Sequence, residues 1–88
     1  MEIIFYKSFH RDIKKIKDQA LKSEIQKAVM NVTTCANVNQ ITNCKKMKAA
    51  ENAYRIKTKN YRIGFYLNAN TVEFAAFDHR KDIYKKFP

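Results

Sequence analysis

Apolar residues change their spacing several times along this chain. In residues 2–6, "EIIFY", they run together and are β-branched or aromatic, which predicts a first strand. From Ser8 to Thr34 the spacing turns helical. Phe9, Ile13, Ile16 and Ala20 form one stripe, and Leu21, Ile25, Ala28, Val29 and Val32 form the next, with lysines between them. Ser8 is the predicted N-cap of a first helix and Asp18 of a second, which makes a helical hairpin. Residues 35–52 have no clear period and read as a loop, with a short strand near residues 46–48. Alternation then takes over in residues 54–58, 61–67 and 71–77, a predicted meander with turns at Lys59-Asn60 and at Asn68–Asn70. Asn tolerates a positive φ and suits both turns. The ending "HRKDIYKKFP" reads as a short helix or an extended tail.

The apolar stripes of the helices need a sheet to cover, so the predicted fold class is α+β. A length of 88 residues fits one domain, residues 1–88. An apolar share of 45% argues against disorder. No apolar run reaches the roughly 20 residues of a membrane span, and the start lacks the long apolar stretch of a secretory signal. A cytoplasmic protein with no membrane partner is expected. Cys35 and Cys44 stand outside any CxxC or His/Cys cluster, so free thiols and no metal site are expected. The single glycine excludes a glycine-rich phosphate loop, and no cofactor is expected.

Charge changes this picture most. The formal net charge is +10, which attracts polyanions. Counting outward from Lys59-Asn60 sets Lys57 opposite Arg62, Ile56 opposite Ile63, Arg55 opposite Gly64 and Tyr54 opposite Phe65. One face then carries Tyr54, Ile56, Ile63 and Phe65, which can pack on helices. The other carries Arg55, Lys57, Arg62, bare Gly64 and Tyr66. Opposed cations destabilise a hairpin by about 0.2–1 kcal/mol, so their grouping points to a bound phosphate. On this reading Gly64 admits a ligand backbone and Tyr66 offers a ring to a base. The alternative is a solvated outer face. His79, Arg80, Tyr84, Lys85 and Lys86 follow the last strand and can reach the rim of the basic face.

Two stretches carry a resemblance. "YRIKTKNYRIGFY" is similar to the "YRIRVGDYRVIY"-like core, and "DHRKDIYKKFP" to the "HR..IY..FP"-like ending, of the RelE/ParE superfamily of bacterial type II toxin–antitoxin toxins. The likeness spans nearly the whole chain. It implies a small curved antiparallel sheet with two N-terminal helices packed on one face, and a toxin held inactive by a cognate antitoxin. The RelE-like branch cleaves mRNA on the ribosome, whereas the ParE-like branch is a non-enzymatic inhibitor of DNA gyrase. By matching positions, Arg55 and Lys57 fall on the basic positions of the first core strand. Arg62 is the arginine of "YR", Arg80 that of "HR", and Tyr84 the C-terminal tyrosine. Lys59-Asn60 replaces a common Gly-Asp, and Ala49-Ala50 a common glycine.

A ribosome-dependent, metal-independent endoribonuclease is therefore the expected function, with gyrase inhibition the alternative. In the nuclease, the 2′-hydroxyl of the RNA attacks the adjacent phosphate. Arg62 and Arg55, supported by Arg80, would hold the phosphorane. Lys57, whose cationic neighbours favour a neutral amine, is the candidate base, and Tyr84 or His79 the acid or base. Tyr66, Lys59, Lys85 and Lys86 are candidate RNA contacts.

Overall fold

In the computed structural model, which describes residues 1–88, the chain runs β1 (Glu2–Phe5), α1 (Lys7–Lys14), α2 (Gln19–Thr34), β2 (Cys44–Lys46), β3 (Ala53–Thr58), β4 (Tyr61–Asn68) and β5 (Thr71–His79). Single 3-10 turns occupy Val38–Gln40 and Ile83–Lys85. The strands form one open five-stranded sheet in the order β1-β5-β4-β3-β2. No helix is long and apolar enough to cross a membrane.

The helical hairpin and the meander are both present, with local differences. Asp18 caps α2, its Oδ1 accepting from the amides of Ala20 at 2.9 Å and Leu21 at 3.3 Å. Ser8 does not cap α1, whose N-cap is Tyr6. The Ser8 hydroxyl instead donates to the Ala75 carbonyl. The short strand lies at Cys44–Lys46, two residues earlier than expected, because Lys45 and Lys46 pair with Arg55 and Tyr54 of β3. The sheet is also not wholly antiparallel, since β1 pairs in parallel with β5. At the two tight turns the positive φ falls on Lys59 (55°) and Ala69 (54°), not on the asparagines beside them.

One core lies between the helices and the sheet. Phe9, Leu21, Ile25 and Val32 pack there against Ile56, Ile63, Phe65, Val72, Phe74 and Phe77. Phe74 and Phe77 are three residues apart and still reach the same core. A bulge allows this: Phe65 pairs with Phe74 and Gly64 with Ala76, leaving Ala75 without a partner. Ala75 and Ala76 then belong to a second core on the opposite face.

That second core corrects the expectation of an open basic face. The C-terminal segment folds back across it, burying Ile83 and Phe87 against Met47, Ala53, Ala75 and Ala76. Gly64 is bare because the Phe87 ring sits on it, and not because a ligand backbone must approach. A Cβ at Gly64 would meet that ring at 2.5–2.8 Å.

Beyond Phe74 the outer edge of β5 has no neighbouring strand, and α1 covers it. Asp12 Oδ2 accepts from the Phe77 amide at 3.0 Å. The Lys86 ammonium joins the same corner, 2.9 Å from Asp12 and 3.2 Å from Asp78, and donates to the Phe77 carbonyl at 3.3 Å. Burial alone would lower the Lys86 pKa, but its bonds to Asp12 and Asp78 outweigh that and raise it. Burial likewise opposes the Asp78 anion, yet the His79 amide and Lys86 outweigh it and lower its pKa.

Two outcomes follow from this packing. Gly64→Ala lowers stability by about 1–3 kcal/mol in urea unfolding, because the added methyl must displace Phe87; an unchanged midpoint would contradict the contact. The Asp78 contribution is fully present above the ordinary carboxylate pKa, about 4, and is lost as pH falls through the lower folded value. Asp78→Asn therefore has a shallower loss of stability on acidification than the parent, read from urea midpoints stepped from pH 6 to 2. Parallel curves would rule this linkage out.

Candidate active site

The β3–β4 hairpin has the register that counting from Lys59-Asn60 gives: Lys57 with Arg62, Ile56 with Ile63, Arg55 with Gly64 and Tyr54 with Phe65. Arg55, Lys57, Arg62 and Tyr66 therefore share the face away from the helices. β2 adds to it, because Lys45 pairs with Arg55. The turn fixes Arg62: its Nη1 donates to the carbonyl of Tyr61 at 2.8 Å and to that of Lys59 at 3.1 Å.

Arg62 has no carboxylate partner. The four ion pairs of the protein all use lysines, so none of the four arginines lies within 4.0 Å of an acid. Burial, Arg55 and Arg80 push the Arg62 pKa below its ordinary value, and the nearby Tyr84 hydroxyl opposes them. Two other cations thus act on Arg62 from the hairpin and from the segment after β5. The cross-strand neighbour Lys57 is not among the groups that shift it. Lys57 is exposed and also borders a second groove of about 300 Å³ against α2, with Lys27 and Asn31.

Arg55 and Tyr84 line an open groove of about 350 Å³ together with Lys45, Lys46 and Lys48. Tyr84 is 58% exposed, although its neighbour Ile83 is fully buried. The segment thus anchors itself through one side chain and presents the next. These three lysines of β2 and the following loop are not among the candidates drawn from the sequence: the run "CKKMK" lies in a stretch without periodicity and gives no face until β2 pairs with β3.

Other candidates sit elsewhere. His79 pairs with Tyr61, with ring centroids 5.4 Å apart, and so belongs to the helix side of the sheet rather than beside Arg62. Its Nδ1 accepts from the Lys81 amide at 3.3 Å. Tyr66 is half-buried, packed 4.9 Å from Phe87 and 6.3 Å from Tyr6, so the C-terminal segment occupies the ring offered to a base. Lys86, a candidate RNA contact, lies 2.9 Å from Asp12 and 3.2 Å from Asp78 at the sheet edge. Lys85 is exposed, 3.4 Å from Asp82, and Lys59 is exposed at the turn. Both cysteines are free, and burial pushes the Cys44 thiol up to about 11, which keeps it protonated.

A cluster of guanidinium groups with a phenol beside it, and no carboxylate within 4.0 Å of any arginine, suits phosphate charge above all. Comparison with known proteins gives the family. Residues 3–84 match the family model described as the ParE toxin of the type II toxin–antitoxin system parDE. The chain is 35% identical to Toxin RelE3 of Methanocaldococcus jannaschii over the full length of both. Its structure matches the RelB-RelE antitoxin-toxin complex from Methanococcus jannaschii with a TM-score of 0.80 and 33% identity, covering 97% of this chain and 99% of that one. It also shares its fold with the YoeB dimer from Staphylococcus aureus, at a TM-score of 0.72 and 16% identity over 90% of this chain and 95% of that one. The chain belongs to the ParE toxin family, within the RelE/ParE superfamily, and is a toxin of a type II toxin–antitoxin system.

Proposed function

We propose that this toxin is an endoribonuclease that cuts mRNA on the ribosome, without a cofactor or a metal. The observation that carries the reading is the grouping of Arg55, Arg62 and Arg80 beside Tyr84, with none of the three paired to a carboxylate. The 35% identity to a RelE toxin over the whole chain supports it. The 2′-oxygen of the message bonds to the adjacent phosphorus and the P–O5′ bond breaks. Between the two lies a crowded phosphorane with more negative charge than the ground state. Arg62, held by two carbonyls, is already oriented for that charge, and Arg55 and Arg80 reinforce it. Tyr84 is the proton-transfer group beside them and donates its phenolic proton to the leaving 5′-oxygen. Lys57 remains the candidate to take the 2′-proton. Lys45, Lys46 and Lys48 hold the flanking phosphates along the groove.

A cognate antitoxin is the proposed regulatory partner, since the structural relative is a complex with RelB. A groove of about 500 Å³ between α1 and α2, bordered by His10, Ile13, Lys14 and Ile25, offers an amphipathic segment an apolar floor and basic walls.

The matched family model bears the ParE name, which favours gyrase as the second target. Induction in cells separates the two: a nuclease halts protein synthesis first, and a gyrase poison breaks DNA first. In vitro, Arg62→Ala lowers cleavage of ribosome-bound message by about 10²–10³-fold while keeping its circular dichroism spectrum. Tyr84→Phe keeps the ring and removes the proton, and lowers cleavage by about 10²–10⁴-fold. Parent-like cleavage by Arg62→Ala overturns the phosphorane assignment. Parent-like cleavage by Tyr84→Phe makes the ring a stacking surface only.

A further inference from the structure

Two carboxylates share the sheet face with the site cations, and neither pairs with an arginine. Glu73 pairs across the sheet with Tyr66, and its oxygens accept from the Tyr6 hydroxyl and from Asn68 Nδ2 at 2.9 Å. Asp78 is directly opposite Arg62, at the separation where unlike charges ordinarily join across an antiparallel pair. Its carboxylate is nevertheless turned away. Oδ1 accepts from the His79 amide at 2.7 Å, and Oδ2 lies 3.2 Å from Lys86 Nζ. The Lys86 ammonium is itself fixed by Asp12 at 2.9 Å and by the Phe77 carbonyl at 3.3 Å.

We infer that Lys86 is a positioning residue that draws the Asp78 carboxylate to the sheet edge and so keeps the Arg62 guanidinium free for phosphate. The inference rests on the nuclease reading for its consequence but not for its geometry. A free Asp78 would neutralise Arg62 from the adjacent strand. The positive charge offered to the phosphorane would fall, although every site residue would still be present. Lys86 also holds the segment that carries Tyr84, and that structural role must be separated from the electrostatic one.

Three variants separate them: Lys86→Met, Asp78→Asn, and the pair together, each assayed for cleavage of ribosome-bound message and for folding by circular dichroism. Lys86→Met lowers cleavage at least tenfold. Asp78→Asn cleaves at or above the parent rate, since it removes the carboxylate that Lys86 restrains while the Lys86–Asp12 bond remains. The double variant recovers to within about threefold of the parent. If Lys86 acted only by anchoring the tail, the double variant would be no better than Lys86→Met, and that result overturns the inference. An Asp78→Asn that cleaves below the parent rate also overturns it, and this outcome can be read even should Lys86→Met fail to fold. A crystal structure of Lys86→Met supplies a readout independent of RNA, with Arg62 expected within 4 Å of Asp78. An unpaired Arg62 in that structure refutes the inference. A parent protein that leaves message intact refutes the nuclease reading and leaves the structural readout standing.

Discussion

Repulsion among Arg55, Arg62 and Arg80 is the constraint around which the rest of this small protein is arranged. The Arg62 pKa is lowered first by burial and then by Arg55 and Arg80. A cluster of this kind resists folding unless something else fixes its strands. Here the opposite sheet face supplies the fixing. Ile56, Ile63 and Phe65 sit in the same strands as the cations and are buried under the helices with Phe9, Leu21 and Val32. Apolar burial at about 25 cal/mol per Å² outweighs like-charge terms of a few tenths of a kcal/mol per exposed pair. The alternation of the hairpin is what allows one strand to serve both purposes.

The C-terminal segment completes the site and narrows it. Ile83 and Phe87 close a second core on the basic side, and Tyr84 stands out between them. The face is therefore a groove bounded by β2 lysines, Arg55 and Tyr84 rather than a flat cationic sheet. Lys86 ties the same segment to α1 and β5. Along residues 83–87, Ile83 and Phe87 are buried, Lys86 is paired with Asp12 and Asp78, and Tyr84 and Lys85 are exposed.

Much of this was legible from the chain. The 3.6-residue stripes placed both helices, and the period-2 pattern fixed the hairpin register to the residue, because a slip by one would have buried Arg55 and Arg62. Long-range placement was not legible. Nothing local says that β1 joins β5 in parallel, that Ala75 bulges, or that Phe87 lands on Gly64. The bulge explains a specific miss. Strict alternation gives no reason for Phe74 and Phe77 to share a core, or for Ala75 and Ala76 to share the other. The ion pairs of Lys86 were not legible either: its partners Asp12 and Asp78 lie 74 and 8 residues away in a sequence rich in lysine. Sequence neighbours suggested solvent or RNA, and the folded corner supplied two acids.

The most direct test of the central claim is the chemistry of the cut ends. Purified toxin is added to ribosomes stalled on a defined message in the presence of EDTA, and the fragment termini are identified. A guanidinium-held phosphorane formed by the 2′-hydroxyl leaves a 2′,3′-cyclic phosphate on one fragment and a free 5′-hydroxyl on the other. Fragments ending in a 5′-phosphate, or message that stays whole while DNA breaks accumulate in treated cells, would contradict the account.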